Sequence, residues 1–503
     1  MKKILKYKLT IAFGIMLMIS TSCNDFLDVN TDPNNPVAVS EPLLLTGVIV
    51  NFSYEVLGGY PVRVTNTWAQ QTAYNAVLPH YGVYDVDEND VNNTWTFFSY
   101  TDVMQNAKIL AEQATENELY DYSAIAKIIW AWNMSIITDL FGNVPFTEAL
   151  DFDNFPQPRY DSQETVYTGI QALLDEAIAD IDRTDGSATF VVGSDDFVYG
   201  GDMAKWRKLA NVLKARFHMR LTYAPGKTAS AQADLALAAL AQGFTDNTDN
   251  AMYAYQNSPG AENPWFQYAI DGKWNTSTQV SASYVELLTN LDDPRLFAHA
   301  RYADSAFIGH PNGAPADIDV SAIGEYYSAA DAPLQWFNFA EAKFLEAEAQ
   351  MIKGDRPAAQ AAYQAGMQAS FDELSAEIAT KAANPVDTSG LSSDIAAYIT
   401  AQETLDASDQ VAYSQIMVQK YIANFLMFET YNDWRRTGYP ALNVAQNAIL
   451  AGMTEPARRF PYPSAELNYN SSNVNAEGIP IGNSAVTGRV WWNSTPDACI
   501  LCN

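Results

Sequence analysis

Apolar residues return every three or four positions along most of this chain, the spacing that keeps them on one side of an α-helix. The pattern predicts helices over Phe98 to Thr115, Asp121 to Leu140, Asp161 to Ile181, Asp202 to Leu221, Thr228 to Ala241 and Val280 to Thr289. Asp161-Ser162-Gln163-Glu164 has the form of a helix start, with side-chain oxygens to accept the free N–H groups of a first turn. Strict alternation, the mark of a half-buried strand, is scarce. Thr189 to Val192 and Ala251 to Tyr255 are the candidates. A chain patterned in this way is expected to be mainly all-α.

Trp336 to Ser370 carries the clearest internal repeat. Phe339 to Ala349 is one amphipathic helix, Lys353-Gly354-Asp355-Arg356-Pro357 a turn, and Ala358, Ala362, Tyr363 and Ala365 line a second helix. Small residues let two helices pack closely, and the unit resembles a tetratricopeptide hairpin of about 34 residues. Helix pairs over about 98–140 and 161–221 read as fainter copies beside 336–376. Stacked pairs form a curved scaffold with one concave face. Three stretches interrupt the helical period: Asn51 to Thr94, Gln242 to Gln279 and Tyr302 to Pro333. Long loops on a rigid body are where binding residues collect. The expected architecture is a tetratricopeptide-like scaffold with a loop-rich ligand-binding region and few short strands.

The N-terminus has a different character. Lys2, Lys3, Lys6 and Lys8 precede the apolar run Leu9 to Ile19, followed by Ser20-Thr21-Ser22-Cys23. Charge, a short apolar run and small residues before a cut make a secretory signal, and the run is too short to span a bilayer. A cut before Cys23 resembles a bacterial lipobox, although Ser20 stands where Leu is usual. The thiol then takes a diacylglyceryl group and the freed amine a further acyl chain, enough for stable anchoring. Residues 1–22 are therefore read as signal, 23–40 as lipidated Cys23 and tether, and 41–503 as one domain. No later segment is expected to have the length and apolarity of a membrane helix.

The 503 residues are 48% hydrophobic and 17% charged, which suits a large core. The formal charge is −30, and the four lysines of residues 1–22 face no acid, so the mature chain stands near −34. That argues against nucleic acid and anionic headgroups as ligands. Three cysteines cannot build a disulfide framework. Cys499 and Cys502 read as a terminal disulfide or two free thiols.

Met417 to Leu442 reads MVQKYIANFLMFETYNDWRRTGYPAL. Gln419, Lys420, Tyr421, Ala423, Phe425, Glu429, Tyr431, Asp433, Trp434, Arg435, Arg436, Thr437, Gly438 and Pro440 resemble the hallmark of the SusD/RagB family, in its SusD-like subgroup. Cys23 to Asp28, Thr138 to Ala149, Lys205-Trp206 through Arg216 and Arg220, and Arg458 to Pro463 with Glu466 and Val490-Trp491-Trp492 are similar to further family segments, in order. The resemblance implies a helical fold on tetratricopeptide units and an outer-membrane lipoprotein facing the cell surface. It also implies a SusC-like TonB-dependent transporter as partner, and an oligosaccharide or peptide as ligand.

Sugars present apolar C–H faces that stack on exposed rings and hydroxyls that bond to amides. With 28 Tyr and 11 Trp, most rings must be core. Trp68 to Asn75 joins rings to amides outside any helical period, and Trp265 and Trp274 lie among Gly, Asn and Pro. The ligand-binding candidates are Trp68, Gln71, Tyr74, Asn75, Trp265 and Trp274. Trp95 reads as core, and Trp434 with Arg435 and Arg436 as structural. Asp85 to Asp90 resembles the start of a calcium loop, but Asp90 replaces the sixth-position Gly and Thr96 the twelfth-position Glu, so it is not an EF-hand. A looser calcium site stays open, and no other cofactor is called for. His80, His218, His299 and His310 lack zinc-ligand spacing, and no nucleophile elbow or Walker loop occurs. The reading is a non-enzymatic nutrient binder. The alternatives are a surface glycoside hydrolase on a helical scaffold and a structural lid without ligand affinity.

Overall fold

A computed structural model of the protein describes residues 39–187, 189–271, 277–317, 319–381, 391–494 and 501. Cys23, the tether to residue 38, Trp274, Cys499 and Cys502 lie outside the described residues. The described chain begins with α1 (Glu41–Asn51), continues as a π-helix (Phe52–Leu57) and turns into α2 (Tyr60–Trp68). Asn51 to Trp68 is therefore helical where the sequence pattern reads as loop. Gly58-Gly59 breaks the period that would have revealed it. Gly59 is required there, because a β-carbon would sit 1.9 Å from the Glu55 carbonyl oxygen. Pro61 stands in the first turn of α2, where its missing N–H costs no helical bond.

A second π-helix (Thr94–Gln105) leads into α3 (Asn106–Glu116). Then come α4 (Tyr120–Phe141), α5 (Gln163–Ile181), α6 (Met203–Arg220), α7 (Ala229–Leu240) and α8 (Ala282–Asn290). They are followed by α9 (Phe339–Lys353), α10 (Arg356–Lys381), α11 (Leu391–Gln402), α12 (Asp409–Ala423) and α13 (Glu429–Thr437). Helices α3 to α7 each pack on the next, α7 packs on α9, and α9 packs on α10 and α12. This is the mainly α-helical scaffold that the period predicts. The Ser162 hydroxyl caps α5 by accepting from the Thr165 N–H at 3.2 Å. Asp161 turns the other way, accepting from the N–H groups of Phe146 at 3.0 Å and Thr147 at 2.7 Å, and so pins the loop after α4. Gly354, at φ +76°, ends α9 and lets the chain reverse into α10.

Helix α4 corrects one expectation. Its 22 residues are long and apolar enough to span a bilayer, but 89% of its apolar window is buried inside the protein, where it serves as a core helix. The stretch Glu41–Trp68 passes the same test and is 56% buried. Strands are short, as expected. β1 (Thr72–Tyr74) pairs antiparallel with β3 (Thr278–Val280), and β2 (Ala251–Tyr253) with β4 (Leu334–Phe337). Thr189 to Val192 is not a strand. It finds no pairing partner, and Phe190 and Val191 lie exposed.

The hallmark string of α12 and α13 is a buried ionic frame. Asp139 of α4 accepts from Tyr167 at 2.6 Å, from the Trp492 indole at 2.8 Å and from Asn432 at 3.1 Å, and pairs with Arg220. Arg220 also reaches Glu429, and Arg216 holds Glu341 through two bonds of 2.7 and 2.8 Å. Arg436 spans Glu348 and Asp433, and Lys420 meets Asp433 at 2.6 Å. Trp434 is buried beside Tyr431. Charges this deep are tolerated only when paired, so every partner is needed to keep the others.

Candidate functional site

The structure describes five of the six candidate residues and separates them. Trp68 has no exposed surface. It closes α2, its indole N–H donates to the Tyr81 carbonyl at 2.9 Å, and its ring packs on Tyr84, Tyr431 and Phe460. Gln71 is equally buried. Its amide donates to the Tyr421 carbonyl at 2.7 Å and accepts from the Leu426 N–H at 2.8 Å, clamping the loop region to the end of α12. Trp265 is 1% exposed on a short helix, Pro264–Ala269. These three are core groups with no free face for a ligand, and the helical setting of both tryptophans is the reason. Tyr74 and Asn75 sit half-buried at the end of β1. Asn75 exchanges two 2.8 Å bonds with the Asp317 backbone, so its amide joins two loops.

Tyr74 belongs to a tyrosine cluster that surrounds a single cation. Its ring lies 4.2 Å from that of Tyr81, and Tyr81 meets Tyr60 edge-on at 6.0 Å. The Arg63 guanidinium stands 4.2 Å over the Tyr268 ring, 5.7 Å from Tyr60 and 5.9 Å from Tyr81. Among the described residues no carboxylate lies within ion-pair distance of Arg63. Its buried Nε finds no acceptor, and neither does the Tyr60 hydroxyl. Beside the cluster, Val77 is 83% and Leu78 79% exposed. The next loop, Asp85 to Asp90, is closed on itself. Asp90 accepts from the Asp87 N–H at 2.9 Å and faces His80 at 3.4 Å, a hydrogen bond that raises the imidazole's pKa. Among the described residues, no three His, Cys, Asp or Glu side chains group as metal ligands.

A concavity of about 670 Å³ opens elsewhere, where the end of α8 faces α11. Phe297, Tyr302 and Phe307 form its aromatic wall, with ring centres 4.3 and 5.3 Å apart, and Asp292 and Asp394 stand on its lining. None of these residues is singled out by the sequence reading, though Tyr302 opens one of its three loop stretches. Arg63 escaped it for another reason. A lone arginine in a helix carries no pattern, and only the absence of a partner in space sets it apart.

The family described as "Starch-binding associating with outer membrane", of SusD-like type, matches residues 33–463. The chain belongs to the SusD-like family. Solved structures agree with the SusD-like fold. A SusD/RagB family protein from Bacteroides thetaiotaomicron is 24% identical, with a TM-score of 0.75 over 91% of this chain and 99% of that one. A chitin-binding SusD homolog from Flavobacterium johnsoniae is 25% identical, with a TM-score of 0.72 over 90% and 99% of the two chains. A SusD homolog from Bacteroides fragilis, 21% identical, reaches 0.74 over 90% and 100%. Comparison with curated proteins finds no match. SusD-like proteins are binding proteins of the outer membrane, and the hallmark string that marks them here is the buried frame around Asp139.

Proposed function

We propose that this SusD-like protein is a lipid-anchored carbohydrate binder on the cell surface that passes its ligand to a SusC-like TonB-dependent transporter. The observation that carries the reading is the partly exposed ring of Tyr74 at the end of β1, backed by buried Tyr81, on a scaffold whose family is described as starch-binding. Rings at a sheet end offer stacking surfaces for sugar C–H faces. The chitin-binding neighbour favours a glycan over a peptide. Anchoring rests on Cys23, and residues 24–40 supply the tether. Binding is tested by calorimetric titration with malto-, chito- and uronate oligosaccharides. Affinity for at least one supports the reading, whereas affinity for none, or release of shortened products, overturns it. The anchor is tested by Cys23→Ala, which should leave a soluble or uncleaved protein. A mature-size variant retained in the outer membrane of cells lacking the transporter would show that something else holds it.

A further inference from the structure

Acids outnumber bases by 59 to 29 in this chain, so an arginine without an acid is not a matter of shortage. The buried arginines of the frame all have acceptors: Arg216, Arg220 and Arg436 hold carboxylates, and Arg435 donates to the carbonyls of Asp139 and Arg458. Arg220, Arg435 and Arg301 also lack a bond at Nε, but the first two use their other N–H groups on these acceptors and Arg301 is faced by Glu325. Arg63 is walled by tyrosine faces instead. Rings steady a cation through their quadrupoles without using its N–H groups. The side chain is therefore held in place with its hydrogen-bonding fork unspent.

The neighbouring groups sharpen the chemistry. The Tyr60 hydroxyl beside it is also without a partner. Asp90, the acid nearest to Tyr60 in electrostatic effect, is already committed to His80 and the Asp87 N–H. Two donors, the Arg63 Nε and the Tyr60 hydroxyl, are left over. A buried donor without an acceptor costs free energy, and a charged one costs more, so the missing component is an oxyanion. The planar guanidinium suits a carboxylate, which it can bind through two parallel bonds. The field of a strongly acidic protein disfavours polyanions, so the match is one acidic substituent on an otherwise neutral chain.

We infer that Arg63 and Tyr60 form the seat for the single carboxylate of an acidic sugar, a uronic or sialic acid unit, within the glycan this protein captures. The inference rests on the carbohydrate-binding reading above and names the class of sugar for its tyrosine face. Tyr74 would offer the stacking surface next to the charged seat.

The test uses matched pairs of probes: a neutral oligosaccharide carrying one uronic acid unit and its methyl ester, and a singly sialylated oligosaccharide and its asialo form. Neutral malto- and chito-oligosaccharides and a sulfated glycan complete the panel. The wild-type protein should bind at least one carboxylate probe tenfold or more tighter than its neutral twin. Arg63→Gln should bring the acid down to the affinity of the twin and leave the twin unchanged. Arg63→Lys should fall between, since it keeps the charge and loses the fork. Tyr60→Phe, which removes one hydroxyl, should weaken the acid alone, and it serves where Arg63→Gln does not fold. Equal binding of acid and twin by the wild type overturns the inference while leaving the carbohydrate reading intact. So does an Arg63→Gln loss that falls equally on both twins, or a preference for the sulfated probe over every carboxylate. Binding to a peptide's free carboxylate and to no glycan overturns both readings.

Discussion

Two arginines carry their charge in opposite circumstances. Arg220 is wedged between Asp139 and Glu429 with no surface to water, while Arg63 meets only rings. Replacing Arg220 by Met should cost about 3–5 kcal/mol in a denaturant titration, because two buried carboxylates lose their counter-charge. Arg63→Met should stay within about 1 kcal/mol of wild type, the scale of a cation–ring contact, since it strands no partner. Trp68→Ala should cost about 3–5 kcal/mol, as expected for emptying a core tryptophan site, while the folded fraction keeps its ligand affinity. His299 supplies a pH dependence. Burial, then Arg295, pushes its imidazole down to about 3 from 6.5. The unfolded chain takes the proton near 6.5 and the native protein does not, so stability is complete above that value and lost as pH falls toward 3. The slope is about 1.4 kcal/mol per pH unit for this one group. In His299→Gln the stability curve between about pH 6.5 and pH 4 should be flatter than wild type by that amount. An unchanged curve would mean that other groups set it.

At the scale of elements, legibility follows how local the signal is. Helices α5, α6, α9 and α10 are readable because cap, apolar stripe and turn lie together in sequence, as in Lys353 to Pro357 followed by Ala362 and Tyr363. Helix α2 is not, since Gly58-Gly59 interrupts the period: Gly59 meets the Glu55 carbonyl, and Gly58 meets Pro264, some two hundred residues on. With the helix hidden, Trp68 reads as a loop ring although it is a core residue. β1 and β3 are too short for any alternation to show, yet they bring Tyr74 opposite Thr278 across some two hundred residues. The hairpin of α9 and α10 gives a direct check. Ala362 is 4% exposed among Phe344, Tyr363 and Met367. Ala362→Trp should lower stability by about 1–3 kcal/mol, the usual cost of overpacking, read as a fall in melting temperature. A wild-type melt would show that the two helices are looser than their packing suggests.

On the scale of the whole molecule, family and fold are readable from one end of the sequence to the other because the buried frame demands fixed residue types at distant positions. The binding face is not readable in that way. Its donors matter through what they lack, and a missing partner leaves no mark on a sequence. The frame has a further implication for how the chain comes into being. Asp139 gathers bonds from Tyr167, Arg220, Asn432 and Trp492, the last of them 353 positions away. A nascent chain that has been synthesised as far as Arg489 still lacks the indole that completes this acceptor. Its central helices therefore remain unsealed until Trp492 has been translated. A protease that removes the turn Trp491–Asn493 strikes the middle of the molecule.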